Sequence, residues 1–326
     1  MRPFLLSLAL ALSACAAPQG IAGLRAEALR LAPTRTAPLA RRFVEQTPLL
    51  PPVATQIFYL SPDRARCLDE REVESIPAAE RATWKRIVAD EEYQYAGRWG
   101  SPLAYALPLE VLGANGLTDL ANLHVFDFGY GDLGHMQLFA ALGADAVGVD
   151  VDPCYLKMYG ARQGAFGPGP GKVRLVDGKW PTTEEARAGV GSGPFDLIIS
   201  KNVLKNGYIH PSQPIVPPAR PIILGVDDAT FLRAVFDSLR PGGRFLIYNI
   251  CPAPAPPGKP YIPWADGRSP FSKEQFEQAG FRVISHDIDD TAATRSLART
   301  LGWDRGSEPM DVEHDLFAHY TLVERP

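Results

Sequence analysis

The most constraining segment of this sequence is Asp127-Phe128-Gly129-Tyr130-Gly131-Asp132-Leu133-Gly134, which lies between two different patterns. A largely apolar run, 123–126, precedes it, and a helical pattern, 136–142, follows it. Glycine has no side chain to block a ligand and adopts backbone conformations that other residues avoid. The segment therefore predicts a strand-to-helix turn at which a ligand can come close to the backbone.

A second acidic residue, Asp150, directly follows the next apolar run, 146–149. In open α/β sheets, a glycine turn after one strand and an acid at the tip of the next together bind a nucleoside, because the acid accepts hydrogen bonds from the ribose hydroxyls. The two features predict a nucleoside site at the carboxyl edge of such a sheet.

The rest of the chain alternates between strand and helix patterns. Strands are predicted at 123–128, 146–149, 173–176, 195–200, 245–248, 281–285 and 316–323. Helices are predicted at 78–93, 102–112, 153–166, 227–239 and 272–279. The strand at 195–200 has a continuous apolar centre, as a strand buried on both faces should have. The alternation predicts an α/β fold with a doubly wound, mostly parallel, Rossmann-like sheet.

Composition limits the domain count and the classes of partner. The chain has 326 residues, of which 46% are apolar, enough for one large domain or for one domain with an appendage. Its net charge is −4, so no basic surface indicates a nucleic-acid partner.

The N-terminus has the pattern of an export signal. Arg2 precedes an apolar stretch, 4–12, that is far too short to span a bilayer. The following Leu12-Ser13-Ala14-Cys15 resembles a bacterial lipoprotein processing box, which implies an exported protein anchored to the membrane by lipid on Cys15. One alternative is an ordinary secretion signal without lipidation. The other is a misassigned start codon, in which case the protein would stay in the cytoplasm. In the lipoprotein interpretation, residues 1–15 are the signal. Residues 16–94 are a tether and a helical extension, with the tether reaching about residue 50 and including one short helix.

Lipidation of Cys15 can be tested directly. We expect the tagged full-length protein to incorporate a labelled lipid precursor at Cys15, and the Cys15→Ser variant not to incorporate it. Labelling that persists in the serine variant contradicts the lipoprotein interpretation.

The other cysteines and acids do not indicate a metal. Cys67, Cys154 and Cys251 form no CxxC pair, so no metal site is expected from them. Export permits one disulfide among the three without indicating which. The acidic run 287–290 has no histidine at ligand spacing and is interpreted as a solvated helix start.

Four landmarks in order resemble a class I S-adenosylmethionine-dependent methyltransferase. They are Asp127-x-Gly129-x-Gly131, Val149-Asp150, the run 195–200, and the turn and strand start at 239–245. The resemblance covers roughly 95–323, so 95–326 is expected to be a methyltransferase-like domain. It implies a seven-stranded sheet whose seventh strand is antiparallel, with ligands at the carboxyl ends of the strands.

The resemblance also implies a cofactor, S-adenosylmethionine, and roles for individual residues. Asp127 is expected near the amino group of the cofactor, Gly129 and Gly131 along its methionine and ribose, and Asp150 on both ribose hydroxyls. The acceptor is expected to be a small molecule or a protein side chain.

Two departures from the family pattern leave alternatives open. Leu133 stands where a third glycine is common, and Gly134 follows it, which also matches the spacing of nicotinamide-dinucleotide sites. The charge of Asp127 suits an ammonium and a sulfonium better than a pyrophosphate. Lys179 stands where an adenine-binding Asp is common, so either Asp177 or the backbone with Trp180 is expected to bind adenine.

Two proline-rich loops, 206–224 and 251–270, follow the fourth and fifth strands of the domain and are interpreted as walls or a lid for the acceptor. His210 in the first loop is the candidate general base, although a loop histidine is often a solvated side chain. Residues 201–205 lack the Asn-Pro-Pro-Tyr string of methyltransferases that act on exocyclic amines, which argues against such an acceptor.

Three hypotheses follow from different classes of protein. The first is an active methyltransferase, for which export is a difficulty because the cofactor is made in the cytoplasm. The second is a binding or scaffold protein that keeps the fold without turnover. The third is a nicotinamide-dependent oxidoreductase, which the position of Gly134 favours but the later strand motifs do not.

Overall fold

The computed structural model describes residues 20–96, 101–217, 221–305 and 309–326. Cys15 and its processing box lie outside the described residues. Within the described residues, no helix combines the length and the apolar character needed to cross a bilayer.

Helices and strands alternate along most of the chain. The helices are α1 (Gly20–Leu31), α2 (Pro38–Glu45), α3 (Ala78–Arg81), α4 (Ala106–Ala114), α5 (Gly134–Ala141), α6 (Pro153–Tyr159), α7 (Glu184–Val190), α8 (Asn206–Ile209), α9 (Asp228–Ser238), α10 (Lys273–Gln278) and α11 (Thr291–Leu301). The strands are β1 (Gln56–Leu60), β2 (Cys67–Asp69), β3 (Lys85–Ala89), β4 (His124–Phe128), β5 (Asp145–Asp150), β6 (Gly164–Ala165), β7 (Lys172–Asp177), β8 (Phe195–Lys201), β9 (Leu239–Cys251), β10 (Arg282–Asp289) and β11 (Phe317–Glu324).

Eight strands form one sheet in the order β10-β11-β9-β8-β4-β5-β7-β6. The pairs from β9 to β7 are parallel, whereas β11 is antiparallel to both of its neighbours and β6 is antiparallel to β7. This confirms the predicted doubly wound sheet with an antiparallel last strand, and the two-residue β6 adds an eighth strand at one edge. The strand order reverses between β4 and β8, where a crevice opens at the carboxyl ends of such a sheet.

Helices cover both faces of this sheet. One apolar cluster joins it to α1, α2, α4, α5, α6 and α11, and a second joins it to α7, α9 and α10. Ile199 of β8 belongs to the first cluster, while its neighbour Ile198 belongs to the second. The continuous apolar centre of this strand follows from that two-sided burial.

Local capping sets the starts of two helices where the sequence predicted them. The Asp227 carboxylate accepts a hydrogen bond from Thr230 N at 2.7 Å, at the start of α9. Ser272 Oγ accepts from Gln275 N at 3.3 Å, and Gln275 Oε1 accepts from Ser272 N at 2.7 Å. This reciprocal pair is a capping box, which satisfies backbone N–H groups that have no partner inside the helix.

The N-terminal segment is packed rather than a tether, so that prediction is wrong for residues 20–50. Leu24 and Leu31 of α1, and Leu39 and Phe43 of α2, are all buried. The Phe43 ring lies 5.5 Å from the ring of Phe139 in α5. Helices α1 and α2 are short and rich in alanine and arginine. Their apolar faces are therefore hard to recognise in the sequence before the helix that they cover is known.

The predicted helix at 78–93 is also wrong for most of its length. Helix α3 ends at Arg81, and the next segment forms β3, which pairs with β1 in a separate three-stranded sheet of order β2-β1-β3. Ile87 and Val88 are β-branched, and pairing with β1 overrides the weak helical spacing of the apolar residues around them.

A disulfide joins the small three-stranded sheet to the domain that contains the large sheet. Cys67 of β2 is bonded to Cys154 of α6, and Cys251 of β9 is free and buried. The sequence permitted one disulfide, and the fold identifies the pair because it brings the small sheet against the helix that follows β5.

Candidate functional site

Two glycines shape the turn between β4 and α5, each for its own reason. Gly129 and Gly131 have φ angles of +81° and +62°, which L side chains rarely adopt. A Cβ on Gly129 would lie 2.4 Å from Cγ2 of Val203, so this position also needs a bare backbone for packing. A Cβ on Gly131 would meet no atom of the described residues within 4 Å, so this part of the chain leaves the space in front of Gly131 open.

Asp150, the last residue of β5, contacts this turn. Its Oδ2 accepts a hydrogen bond from Gly131 N at 3.0 Å, and its Oδ1 accepts from the N–H groups of Val151 and Asp152 at 2.7 and 3.0 Å. Burial raises the pKa of Asp150 to about 6, although the three N–H donors act in the opposite direction. The carboxylate therefore joins the glycine turn to the tip of the next strand.

Asp177 ends β7 directly opposite Asp150, since the two residues are paired in the register of their strands. The side chain of Asp177 is largely exposed, but its carboxyl group is partly shielded from solvent, which raises its pKa. Val151 is 59% exposed, an apolar surface next to these acids. Trp180 instead packs in the core, with its ring 5.0 Å from that of Phe126, and it is not at the crevice.

Asp127 lies at the carboxyl end of β4 but is fully buried. Its Oδ2 accepts a hydrogen bond from the Tyr105 hydroxyl at 2.9 Å and lies 2.6 Å from Nε2 of His135. Its Oδ1 has no hydrogen-bond partner among the described residues. Oδ2 of Asp127 thus has two hydrogen-bond partners in the protein, whereas Oδ1 has none in the part of the chain that the structure describes.

His135 lies between two carboxylates. Its Nδ1 is 3.2 Å from Oδ1 of Asp132, and its ring stacks on that of Tyr105 with 3.7 Å between centroids. Burial alone lowers the pKa of His135, but the carboxylates of Asp132 and Asp127 outweigh it and raise the pKa to about 9. The two carboxylates thus favour the charged form of the imidazole.

Lys201, the last residue of β8, adds a second positive charge beside Tyr105. Its Nζ lies 5.1 Å from the centre of the Tyr105 ring, and the residue is 6% exposed. Burial lowers the pKa of Lys201 to about 8, although the carboxylates of Asp132 and Asp127 oppose the shift.

The contacts that Tyr105, His135 and Lys201 make with one another and with the buried acids were not predicted from the sequence. His135 follows Asp132 by three residues inside the glycine-rich turn, and that spacing was a signal that the two could pair. Tyr105 and Lys201 precede and follow the turn by long stretches of chain, and no local pattern connects them to Asp127.

The N-terminal sheet is attached to the segment that follows Asp150. Arg64 Nη2 lies 3.3 Å from Oδ2 of Asp152, and Lys157 Nζ lies 2.5 Å from Oε2 of Glu72. The Cys67–Cys154 disulfide lies in the same region. Two ion pairs and one covalent bond therefore anchor the chain just beyond the Asp150 carboxylate.

The two proline-rich loops are joined to each other, which favours a wall over a lid. Asn206 N donates to Arg268 O at 2.8 Å, and Asn206 Nδ2 donates to Asp266 Oδ2 at the same distance. Lys205 Nζ donates to Ile250 O at 2.5 Å and to Trp264 O at 3.3 Å.

A cavity of about 480 Å³ lies between these loops. Its lining includes Gln213, Lys259, Tyr261, Asp266 and Arg268. A cavity of this size suits a small molecule or one protein side chain.

His210 lies apart from the buried acids. Its Nε2 is 3.0 Å from Oδ2 of Asp228, to which Gln275 Nε2 also donates at 3.0 Å. The side chain is 46% exposed, and its contacts among the described residues do not include Asp127 or Asp150. A carboxylate orients this imidazole, as the general-base hypothesis requires, but the surrounding site is open to solvent.

Comparison by sequence finds no relative: no protein-family model and no curated protein matches the chain. Comparison by structure does find similar proteins. An S-adenosylmethionine-dependent methyltransferase from Mesorhizobium loti is 16% identical, with a TM-score of 0.40, over 68% of this chain and 98% of its own.

Two further solved structures differ in the activity that their names give. An arsenic(III) S-adenosylmethionine methyltransferase from Chlamydomonas reinhardtii is 17% identical, with a TM-score of 0.38, over 63% of this chain and 64% of its own. The cyclase SpnF is 16% identical, with a TM-score of 0.38, over 67% of this chain and 80% of its own. At such identities the likeness concerns the fold alone.

Proposed function

We propose that this chain binds S-adenosylmethionine at the carboxyl ends of β4, β5 and β7 and transfers its methyl group to a small-molecule or protein acceptor. One observation carries the proposal: the Asp150 carboxylate accepts a hydrogen bond from Gly131 N, and the described residues leave the space in front of that glycine open. Both residues are next to the point where the strand order reverses, which is where open α/β sheets bind nucleotides.

The residues at this edge match the chemical groups of the cofactor. Open space at Gly131 admits a ligand against the backbone, and the Asp150 and Asp177 carboxylates are acceptors for ribose hydroxyls and an adenine amine. Exposed Val151 offers an apolar surface for a purine. Oδ1 of Asp127, which has no hydrogen-bond partner within the described ranges of the chain, is a buried acceptor that suits an ammonium group.

Bound S-adenosylmethionine supplies a methyl group on a positively charged sulfur, which leaves as a neutral thioether. The protein then contributes mainly alignment, which can supply about 7–11 kcal/mol. The cavity between the two loops is the proposed acceptor site, and His210, oriented by Asp228, is the proposed base for an acceptor that arrives protonated.

Packing and strand order argue against the nicotinamide-dependent alternative. A Cβ on Gly134 would lie 3.1 Å from the Pro102 ring, so tight packing accounts for this glycine without a pyrophosphate. The sheet also has an antiparallel strand, β11, between β9 and β10, unlike the dinucleotide-binding order of six parallel strands.

The disulfide supports a second candidate, a binding protein without turnover. Disulfides such as Cys67–Cys154 persist mainly in oxidising compartments, which agrees with the export signal and membrane anchor proposed from the sequence around Cys15. The cofactor is made in the cytoplasm, so an exported chain would meet little of it.

Calorimetric titration with S-adenosylhomocysteine and with NAD separates the three hypotheses. Binding of S-adenosylhomocysteine alone is the expected result. Binding of NAD alone would replace the proposal by an oxidoreductase, and binding of neither would favour the binding or scaffold protein.

Replacing Asp150 by alanine is expected to weaken S-adenosylhomocysteine binding by about 1–3 kcal/mol, because ribose hydroxyls lose their acceptor. The affinity of the wild-type chain should also fall as the pH drops below about 6, where Asp150 gains a proton and becomes a weaker acceptor. Titration calorimetry measures both effects.

Asp145→Ala is the matched control for this prediction. Asp145 lies at the opposite end of the same strand, in a surface ion pair with Lys172 at 3.1 Å, so its loss should leave the affinity unchanged. Equal affinities for wild type and Asp150→Ala would mean that the ribose is bound elsewhere.

A further inference from the structure

Five side chains form a buried charge cluster where β4 and β8 end: Tyr105, Asp127, Asp132, His135 and Lys201. Asp127 and His135 have no exposed surface, and the side chain of Asp132 is 15% exposed. An unpaired charge in such a place is strongly destabilising, so the charges of the cluster are expected to balance.

The hydrogen bonds fix where the protons lie. Burial and the nearby Asp127 raise the pKa of Tyr105 well above its usual value, so its hydroxyl keeps its proton and donates to Asp127 Oδ2. Asp132 Oδ1 accepts from Gly134 N at 2.9 Å. Both acids are therefore acceptors, in keeping with ionised carboxylates.

His135 presents one ring nitrogen to each of these carboxylates, at 2.6 and 3.2 Å. A neutral imidazole would place a nitrogen lone pair against a carboxylate oxygen, which is repulsive, whereas an imidazolium donates on both sides. Together with the Lys201 ammonium, the imidazolium balances the two negative charges of the cluster.

We propose that His135 is a positioning residue: a doubly protonated imidazolium that occupies Oδ2 of Asp127 and so directs Oδ1 of the same carboxylate to the ammonium group of the cofactor. This inference rests on the proposed function. It explains why, among the residues that the structure describes, one oxygen of this fully buried carboxylate has two partners and the other has none. An unsatisfied buried acceptor is costly until a ligand donates to it.

The role predicts discrimination between two ligands that share a nucleoside. S-adenosylhomocysteine has an α-ammonium group, whereas 5′-methylthioadenosine lacks the amino-acid part altogether. His135→Gln keeps one donor for Asp127 but no positive charge. We expect it to weaken S-adenosylhomocysteine binding about tenfold to a hundredfold and to change methylthioadenosine binding by less than about twofold, in keeping with a bond to a charged group.

His314→Gln is the matched control. His314 contacts Asp311 at 3.1 Å on the surface, where its side chain is 85% exposed, so the substitution should change neither affinity. Equal losses for both ligands in His135→Gln would overturn the positioning role, because a merely structural defect affects both alike.

Nitrogen-15 NMR of the wild-type histidines provides a second test that needs no variant. The expected spectrum shows the His135 ring doubly protonated at pH 7.5 and titrating near pH 9. The titratable groups in contact with this ring are Asp127 on β4, Asp132 in the turn and Tyr105 before α4. The Lys201 ammonium lies over the ring of Tyr105, 5.1 Å from its centre.

The outcomes separate this inference from the function on which it rests. A neutral His135 ring in a chain that binds S-adenosylhomocysteine overturns the inference and leaves the proposed function in place. Absence of S-adenosylhomocysteine binding by the wild-type chain overturns the proposed function, and the ligand role of His135 with it.

Discussion

Replacing both Cys67 and Cys154 by serine is expected to lower the free energy of unfolding by about 4–5 kcal/mol. The bond links residues 87 positions apart, and closing so long a loop removes much of the conformational entropy of the unfolded chain. Both sulfurs are buried, so the serine hydroxyls would add to the loss. Chemical denaturation without reductant measures the change.

The same variant is expected to bind S-adenosylhomocysteine more weakly, because Cys154 is four residues beyond Asp150 and the bond anchors that segment to the N-terminal sheet. Cys251→Ala is the control, since it removes a buried thiol that closes no loop and should cost about 1 kcal/mol. A denaturation midpoint equal to that of the wild type would show that the bond is not formed in solution.

Replacing Asp127 by alanine is expected to destabilise the fold by about 3–5 kcal/mol. The buried His135 imidazolium and Lys201 ammonium would then have only the Asp132 carboxylate to balance their two positive charges. Asp127→Asn keeps the shape and an acceptor for Tyr105 but removes the charge, so it should fall between alanine and wild type. Denaturant titration of the three proteins at pH 6 measures this order.

The pH dependence of the stability difference between wild type and Asp127→Ala tests whether the charge of His135 causes it. The pKa of His135 is raised in the folded chain from 6.5 to about 9, so its stabilising contribution is complete below about pH 6.5 and is lost as the pH rises through 9. The difference between wild type and Asp127→Ala should therefore shrink between pH 6 and pH 9.5.

Asp119→Ala is the control for this pair of measurements. Asp119 forms a surface ion pair with Arg42 at 3.1 Å, so its loss should cost less than about 1 kcal/mol. A gap between wild type and Asp127→Ala that is constant across this pH range would contradict a charged His135.

The large sheet was predictable because its signals are local and strong. Strands buried on both faces must be apolar throughout, and β8 satisfies this over Leu197, Ile198 and Ile199. Helix starts at Asp227 and Ser272 depend on side chains that bond to backbone three residues away. The small sheet was not predictable, because β3 depends on pairing with β1 more than on its own residues.

The candidate site likewise contains residues that a local motif predicted and contacts that only the folded chain reveals. Gly129, Gly131 and Asp150 belong to one turn and the strand beside it, so a short motif indicated them, and the structure places Asp150 in contact with the turn. The position of Asp127 at the end of β4 was predicted, but its burial against His135 and Tyr105 was not.

From its residues alone, this chain specified what depends on neighbours within a few positions: the bare-backbone turn, the capped helices, the buried strands and the acid at the tip of β5. Contacts between distant segments needed the folded molecule. The Cys67–Cys154 bond, the Tyr105 hydroxyl on Asp127 and the Lys201 ammonium above that phenol each join parts of the chain brought together by strand order. Such contacts form after long loops have closed, and the entropy of closing a loop depends on its length and hardly on its sequence, so no local pattern records them.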